Sequence, residues 1–92
     1  MIQSFADKHT LQVWERRRTR LHPDTQRLAW NKLAMLNRAA SLDDLRVPPG
    51  NRLERLRGDR AGQYSIRINR QWRICFRWTG AGPEQVEITD YH

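Results

Sequence analysis

The sequence has few of the residues that would cross-link the chain or carry it into a membrane. Its single cysteine, Cys75, excludes an internal disulfide and favours a reducing, cytoplasmic setting. No stretch approaches the roughly 20 apolar residues of a transmembrane helix, and the start has no secretory apolar run. The three histidines, His9, His22 and His92, lack the close spacing of zinc ligands. We therefore expect a cytoplasmic protein without metal, cofactor or membrane contact.

Acidic residues and lysine are also scarce. Ten carboxylates stand against 17 basic residues, which gives a formal net charge of +7. Of the basic residues 15 are arginine, and only Lys8 and Lys32 are lysine. A guanidinium grips phosphate through two hydrogen bonds, whereas lysine offers a point charge. The excess favours a polyanionic partner such as nucleic acid, although a genomic bias toward arginine codons would give the same composition.

The length of 92 residues predicts one domain, residues 1–92, because it leaves no room for two separate cores. Residues 1–5 alternate apolar and polar side chains, which is typical of a short strand. A first helix is predicted from residue 8 to about residue 20, with Leu11 and Trp14 on one face.

A second helix is predicted from Pro23 to about Arg38, since proline suits the first turn of a helix. Its apolar stripe recurs at helical spacing and consists of Ala29, Leu33, Leu36 and Ala40. Ser41 is placed to cap a single further turn through Leu45, before prolines end the helical half of the chain.

The second half of the chain has the spacing of an antiparallel meander. Four short strand candidates, "RLERLRG", "QYSIRIN", "WRICFRW" and "QVEITDY", are separated by turn-forming segments. A short strand, two helices and a four-stranded meander make an α+β fold, with the helices packed on one face of the sheet.

Alternation along these strands assigns the two faces of the sheet. The helix-covered face is predicted to hold Tyr64, Ile66, Ile68, Trp72, Ile74, Phe76, Trp78, Val86 and Ile88. We expect all four tryptophans in the core. The opposite face would carry Ser65, Arg67, Arg73, Cys75, Arg77, Glu87, Thr89 and Tyr91. Three of its arginines, Arg67, Arg73 and Arg77, are therefore expected to form an open basic surface near Tyr91, which Arg55 and Arg57 could extend.

The blocks "LRGDRAGQYSIRIN", "QWRICF" and "DYH" occur in this order, and with this layout the whole chain resembles the HigB toxins. These are a branch of the RelE-like toxins of bacterial toxin–antitoxin pairs. The resemblance implies ribosome-dependent cleavage of messenger RNA, silenced by a co-expressed HigA-type antitoxin. It also implies that Arg57, Arg73, Asp90, Tyr91 and His92 lie in or beside the active site. Where better-known members have a histidine, this chain has Glu54, so either Glu54 substitutes for imidazole or more of the catalysis falls on His92.

Metal-free RNA cleavage must deprotonate the ribose 2′-hydroxyl, stabilise the phosphorane and protonate the departing 5′-oxygen. His92 can transfer protons near neutral pH, and the carboxylate on its own Cα favours the protonated ring, which suits an acid or a phosphate clamp. Tyr91 could stack on a base or bind phosphate, or simply cover the strand. Asp90 falls on the core side of the alternation, so we expect it to be buried, with a structural partner such as an arginine, and to orient its neighbours.

Arginines on one face suit transition-state stabilisation, because a fixed guanidinium binds more strongly as negative charge develops on phosphate. Arg73 and Arg57 are candidates for this clamp, and Arg67 and Arg77 for holding the RNA backbone. A single arginine is more often a solvated surface charge than a catalytic group, and it is the cluster on one face that favours catalysis. Cys75 is most simply a small strand residue.

Two other functions remain open at this point. The chain could be a basic module that blocks the ribosome by occupancy without cutting, an alternative that Glu54 in place of histidine supports. It could also be the structural half of a repressor complex on operator DNA. The sequence offers no convincing recognition helix, so the antitoxin would supply the DNA contact.

Overall fold

The structure of the protein, a computed structural model, describes residues 1–90. Two helices, α1 (Lys8–Trp14) and α2 (Pro23–Arg38), precede a four-stranded antiparallel sheet. The strands are β1 (Glu54–Arg55), β2 (Tyr64–Arg67), β3 (Trp72–Thr79) and β4 (Gly82–Asp90), and they neighbour each other in chain order. The α+β class and the meander are thus confirmed. None of the helices within the described residues is long and apolar enough to span a membrane.

The N-terminal segment pairs with β4 in parallel, but over too short a distance to make a regular strand. Phe5 lies opposite Val86. The Val86 amide donates to the Ser4 carbonyl at 3.1 Å, and the Ala6 amide donates to the Val86 carbonyl at 2.9 Å. The ladder is interrupted beside this bridge, because Gln85 has a positive φ of 52° where the register of β3 and β4 shifts.

Helix α1 ends at Trp14, so the predicted extension to about residue 20 is wrong. Asp7 caps its start, accepting from the Thr10 amide at 2.8 Å. At its end Arg16 has a φ of 60°, and the amides of Arg16 and Arg17 donate to the carbonyls of Val13 and Gln12. This pair of bonds is a Schellman closure, which usually places glycine where Arg16 stands. The sequence therefore gave no visible stop signal.

Helix α2 has the predicted bounds. The His22 Nδ1 accepts a hydrogen bond from the Asp24 amide at 3.1 Å, which caps the start of the helix. Ala29, Leu33 and Leu36 are fully buried, as the stripe predicted. Ala40 is exposed, because the helix has already ended at Arg38.

The core lies between the helices and the predicted face of the sheet. Its fully buried side chains include Phe76, Ile66, Ile74 and Leu33, each worth about 1.5–3 kcal/mol on burial. Leu45 joins it from a 3₁₀ turn, Leu42–Arg46, at the site of the predicted single turn.

Three tryptophans, Trp14, Trp72 and Trp78, are partly buried and pack against this core. Trp30 does not belong to it, contrary to the prediction for all four. Its ring stacks on Trp14 with centroids 5.5 Å apart, and the Arg16 guanidinium lies 3.9 Å from its centroid. The contacts of Trp30 are thus with the end of α1 and the residues just after it, outside the core cluster.

Candidate functional site

Two arginines lie opposite each other on the helix-free face of the sheet. The register pairs Arg67 of β2 with Arg73 of β3, and Arg73 with Thr89 of β4. Like charges in directly opposed positions repel each other. This row of the sheet therefore needs other groups to hold the two guanidinium groups in place.

Arg73 is almost completely buried, with only 5% of its surface exposed. Its Nη2 donates to the carbonyl oxygen of Arg52 at 3.0 Å, and its Nη1 lies 3.4 Å from Oε1 of Glu54. A buried guanidinium requires such partners, because desolvating a charge is costly. The expected open basic surface is therefore wrong at Arg73, which is enclosed and held in one orientation.

Arg52 reaches this position through an unusual backbone conformation. It follows the 3₁₀ turn Pro49–Asn51 and has a φ of 46° and a ψ of 54°, in the left-handed region. Non-glycine residues rarely adopt this region, and such strain is often found at functional sites. Here it accompanies the carbonyl contact to Arg73.

A cleft of about 260 Å³ opens beside Arg73. Its walls are Arg52, Glu54, Arg67, Asn69, Arg70 and Arg73. The Arg67 Nε donates to the Asn69 carbonyl at 3.0 Å, which directs that side chain along the wall. Four guanidinium groups and one carboxylate around one small cleft form a site suited to an anion such as a phosphate diester.

Sequence analysis missed three of these residues, Arg52, Asn69 and Arg70. Asn69 and Arg70 lie in the β2–β3 turn, where Asn69 Oδ1 accepts the amides of Gln71 and Trp72, both at 2.9 Å. A turn at the end of the hairpin that carries Arg67 and Arg73 must lie beside them. Asn69 and Arg70 could therefore have been predicted from their position in the turn next to Arg67 and Arg73.

Strand β4 ends at the same end of the sheet, where Asp90 pairs with Trp72. Asp90 is exposed rather than buried as expected, and its Oδ2 accepts from the Gln71 side chain at 3.1 Å. Asp90 is the last residue of β4, where its polar side chain remains accessible to solvent. The predicted residues Tyr91 and His92 lie outside the described residues.

The remaining predicted arginines do not converge on this cleft. Arg77 is four residues further along β3, roughly 13 Å from Arg73 at the usual rise per residue, and its Nε donates to Gln85 Oε1 at 3.2 Å. The register places Arg55 opposite Tyr64, on the other face of the sheet from Glu54. Arg57 is exposed in the connection that follows β1. The predicted grouping holds for Arg67 and Arg73 but not for Arg77.

The middle of the helix-free face is covered by the β1–β2 connection. Arg60, in its 3₁₀ turn Gly58–Arg60, donates through Nη1 to Glu87 Oε1 at 3.0 Å. The row that ends at Glu87 also contains Ser65 and Cys75, and both are buried. The centre of this face is therefore closed at Ser65 and Cys75, and Cys75 lies there as a small strand residue.

Comparison with known proteins agrees with this architecture. Residues 3–92 match the family described as the RelE-like toxin of type II toxin-antitoxin system HigB. The chain belongs to the HigB-like toxin family.

Two curated proteins illustrate the relationship of this HigB-like toxin to others. It is 42% identical over 80 residues to Toxin HigB-1 of Vibrio cholerae serotype O1, covering 85% of this chain and 84% of that protein. It is 40% identical over 47 residues to an uncharacterized protein of Haemophilus influenzae, covering 51% of this chain and 46% of that protein. Membership of a toxin–antitoxin family implies an antitoxin partner for the HigB-like toxin.

Proposed function

We propose that this chain is a ribosome-dependent messenger RNA endonuclease that arrests translation and growth and is neutralised by a HigA-type antitoxin. Its place of action would be the cytoplasm, where messages are translated. RelE-like toxins are generally endoribonucleases, so the family supports the reaction class. Operator DNA would be contacted only indirectly, through the antitoxin.

The observation that carries this proposal is the enclosed guanidinium of Arg73 beside Arg67, in a cleft at the same end of the sheet as Asp90 of β4. In metal-free cleavage the ribose 2′-oxygen attacks phosphorus, and a 2′,3′-cyclic phosphate forms as the 5′-oxygen departs with a proton. Negative charge accumulates on the non-bridging oxygens in the transition state. A pre-oriented guanidinium stabilises that charge without reorganising, which is the largest contribution most enzymes of this kind use.

The proton transfers are assigned to the end of the chain and to Glu54. His92 would protonate the departing 5′-oxygen and Glu54 would accept the 2′-hydroxyl proton, with Tyr91 stacking on a base and Asp90 orienting its neighbours. The position of Glu54 supports its role as the proton acceptor, since this residue lines the cleft. RNA-backbone contacts remain proposed for Arg55, Arg57, Arg67 and Arg77.

A second candidate is a module that occupies the ribosome without cutting. The observation in its favour is the ion pair of Glu54 with Arg73, which already engages the carboxylate that would have to accept the 2′-hydroxyl proton. The cleft would then bind phosphate through Arg67 and Arg70 without performing chemistry.

Sequencing of RNA 5′ ends after brief induction separates these two functions. Cleavage creates new 5′ ends within translated messages, and His92→Ala, folded as judged by circular dichroism, should create none. The same RNA incubated with purified protein in the absence of ribosomes should stay intact. Growth arrest without new 5′ ends would establish the occupancy function, and new ends produced equally by His92→Ala would remove His92 from the mechanism.

A further inference from the structure

The connection between α1 and α2 forms a second recess that shares no residue with the cleft beside Arg73. We call it the helix-connection groove; its volume is about 790 Å³, within the range of ligand sites. Buried or partly buried apolar side chains form its floor, namely Val13, Leu21 and Trp30. Exposed arginines form its rim, namely Arg16, Arg18 and Arg27.

The rim of this groove has an excess of positive charge. Residues 15–27 contain five arginines and only two carboxylates. Glu15 pairs with Arg17 at 3.3 Å and Asp24 with Arg27 at 3.2 Å, both in exposed positions. Within residues 1–90, no carboxylate comes within ion-pair distance of Arg16 or Arg18. The groove thus combines an apolar floor with uncompensated cations, which complements a segment that carries both apolar and acidic side chains.

The surroundings of Trp30 favour a protein segment over RNA as the occupant. Its Nε1 donates to the Trp14 carbonyl at 3.1 Å, and its ring already has the stacking contacts with Trp14 and Arg16 described above. Single-stranded RNA binds such surfaces by stacking bases on available aromatic faces. Tryptophan and arginine surrounded by apolar floor residues are instead typical of protein-interface hot spots.

We propose that the helix-connection groove docks an acidic segment of the antitoxin. An apolar side chain of that segment would cover Leu21 and Trp30, and its carboxylates would pair with Arg16 and Arg18. The choice of the antitoxin as the partner rests on the proposed function, whereas the chemistry of the segment rests on the groove itself.

The test is the affinity of the purified chain for the antitoxin encoded with it, measured by fluorescence anisotropy of labelled antitoxin. The double variant Arg16→Glu/Arg18→Glu should raise Kd about tenfold or more, because attraction at the rim becomes repulsion. Arg16→Lys/Arg18→Lys keeps the charge and should change Kd by less than about threefold. Arg38→Glu/Arg46→Glu alters net charge equally at exposed positions outside the groove and is the matched control.

Folding and mapping complete the design. Thermal melts report whether each variant is folded, and Arg18→Glu alone provides a milder change, because Arg18 is exposed. Antitoxin binding should slow hydrogen exchange of backbone amides between residues 13 and 31.

Three outcomes would overturn the proposal. One is an unchanged Kd in both the double variant and folded Arg18→Glu, and another is the absence of any binding between the parent chain and the antitoxin. The third is that the double variant loses affinity for a short single-stranded RNA but binds the antitoxin as tightly as the parent chain does. That result would make the groove an RNA-binding surface. Failure to find cleaved RNA would count against the proposed function alone, because these measurements do not involve cleavage.

Discussion

Arg73 and Glu54 form an ion pair in which one partner is buried and the other faces the solvent. Their closest atoms are 3.4 Å apart, with 6% of the Arg73 side chain exposed and 51% of the Glu54 side chain. Under the proposed function, an RNA phosphate that enters the cleft would meet this carboxylate beside the Arg73 guanidinium. The Glu54 carboxylate would then compete with phosphate for Arg73.

Glu54→Gln should separate binding from chemistry. Loss of the competing negative charge should lower the Kd for a short RNA about two- to fivefold, while the cleavage rate falls about 100-fold if Glu54 accepts the 2′-hydroxyl proton. The free energy of unfolding should fall by about 1–3 kcal/mol, because the buried Arg73 guanidinium keeps its charge without the Glu54 carboxylate. Filter binding and single-turnover cleavage on ribosomes measure the two effects. Glu84→Gln, with the same charge change outside the cleft, is the control, and an unchanged cleavage rate would remove Glu54 from proton transfer.

Arg73→Lys should retain the positive charge but lose the planar, two-pronged arrangement of hydrogen-bond donors. A lysine ammonium cannot reproduce the fixed fork that bonds the Arg52 carbonyl and faces Glu54. We expect the cleavage rate to fall about 100-fold or more, as when one transition-state donor is removed. Arg46→Lys, an exposed change in the Leu42–Arg46 turn, should leave the rate unaltered. Cleavage by Arg73→Lys within a few-fold of the parent would show that charge alone suffices.

Gly82→Ala should destabilise the fold. Gly82 has a φ of 129°, and an added Cβ would collide with the carbonyl oxygen of Met1. The free energy of unfolding should fall by more than about 1 kcal/mol, which for a domain of this size lowers Tm by roughly 4–8 °C. Gly80→Ala, two residues away, meets nothing within 4 Å and should change stability by less than about 0.5 kcal/mol. Equal melting temperatures for the two variants in calorimetry would contradict the close approach of Met1.

Asp44 should make stability depend on pH in the acid range. Hydrogen bonds from the backbone amides of Ala40 and Ser41 lower the pKa of its carboxyl below the ordinary value of 3.8. The stabilisation is therefore complete above pH 3.8 and is lost as the pH falls through the lower pKa of the folded state. Urea unfolding should show Asp44→Asn to be less stable than the parent near neutral pH, and the difference should shrink in strong acid. A difference that stays constant across this range would contradict the assignment.

Much of the fold could be predicted because local patterns and tertiary packing agree. The stripe through Ala29, Leu33 and Leu36 and the proline at position 23 fixed α2, and strand alternation assigned the buried face that contains Ile66 and Ile74. Helix α1 was predicted too long because its end depends on a positive φ at Arg16, a residue type that carries no such signal.

The candidate site was predicted only in part, because its geometry depends on contacts between distant segments. Alternation placed Arg67 and Arg73 on one face, and the structure pairs them. It could not show that Arg52, 21 positions before Arg73, would supply a carbonyl partner from a left-handed conformation. Nor could it show that Arg60 would pair with Glu87, in the row of the sheet that contains the buried Cys75.

The pairing of the N-terminal segment with β4 has a consequence for when this chain becomes harmful to its host. The Gln85 amide donates to the Ser4 hydroxyl at 2.9 Å across 81 positions of sequence, so this contact cannot form until both segments have been synthesised. β4 also supplies Val86 and Ile88 to the core. A nascent chain that lacks β4 cannot complete this sheet, so under the proposed function it could not cleave a message until β4 has been synthesised.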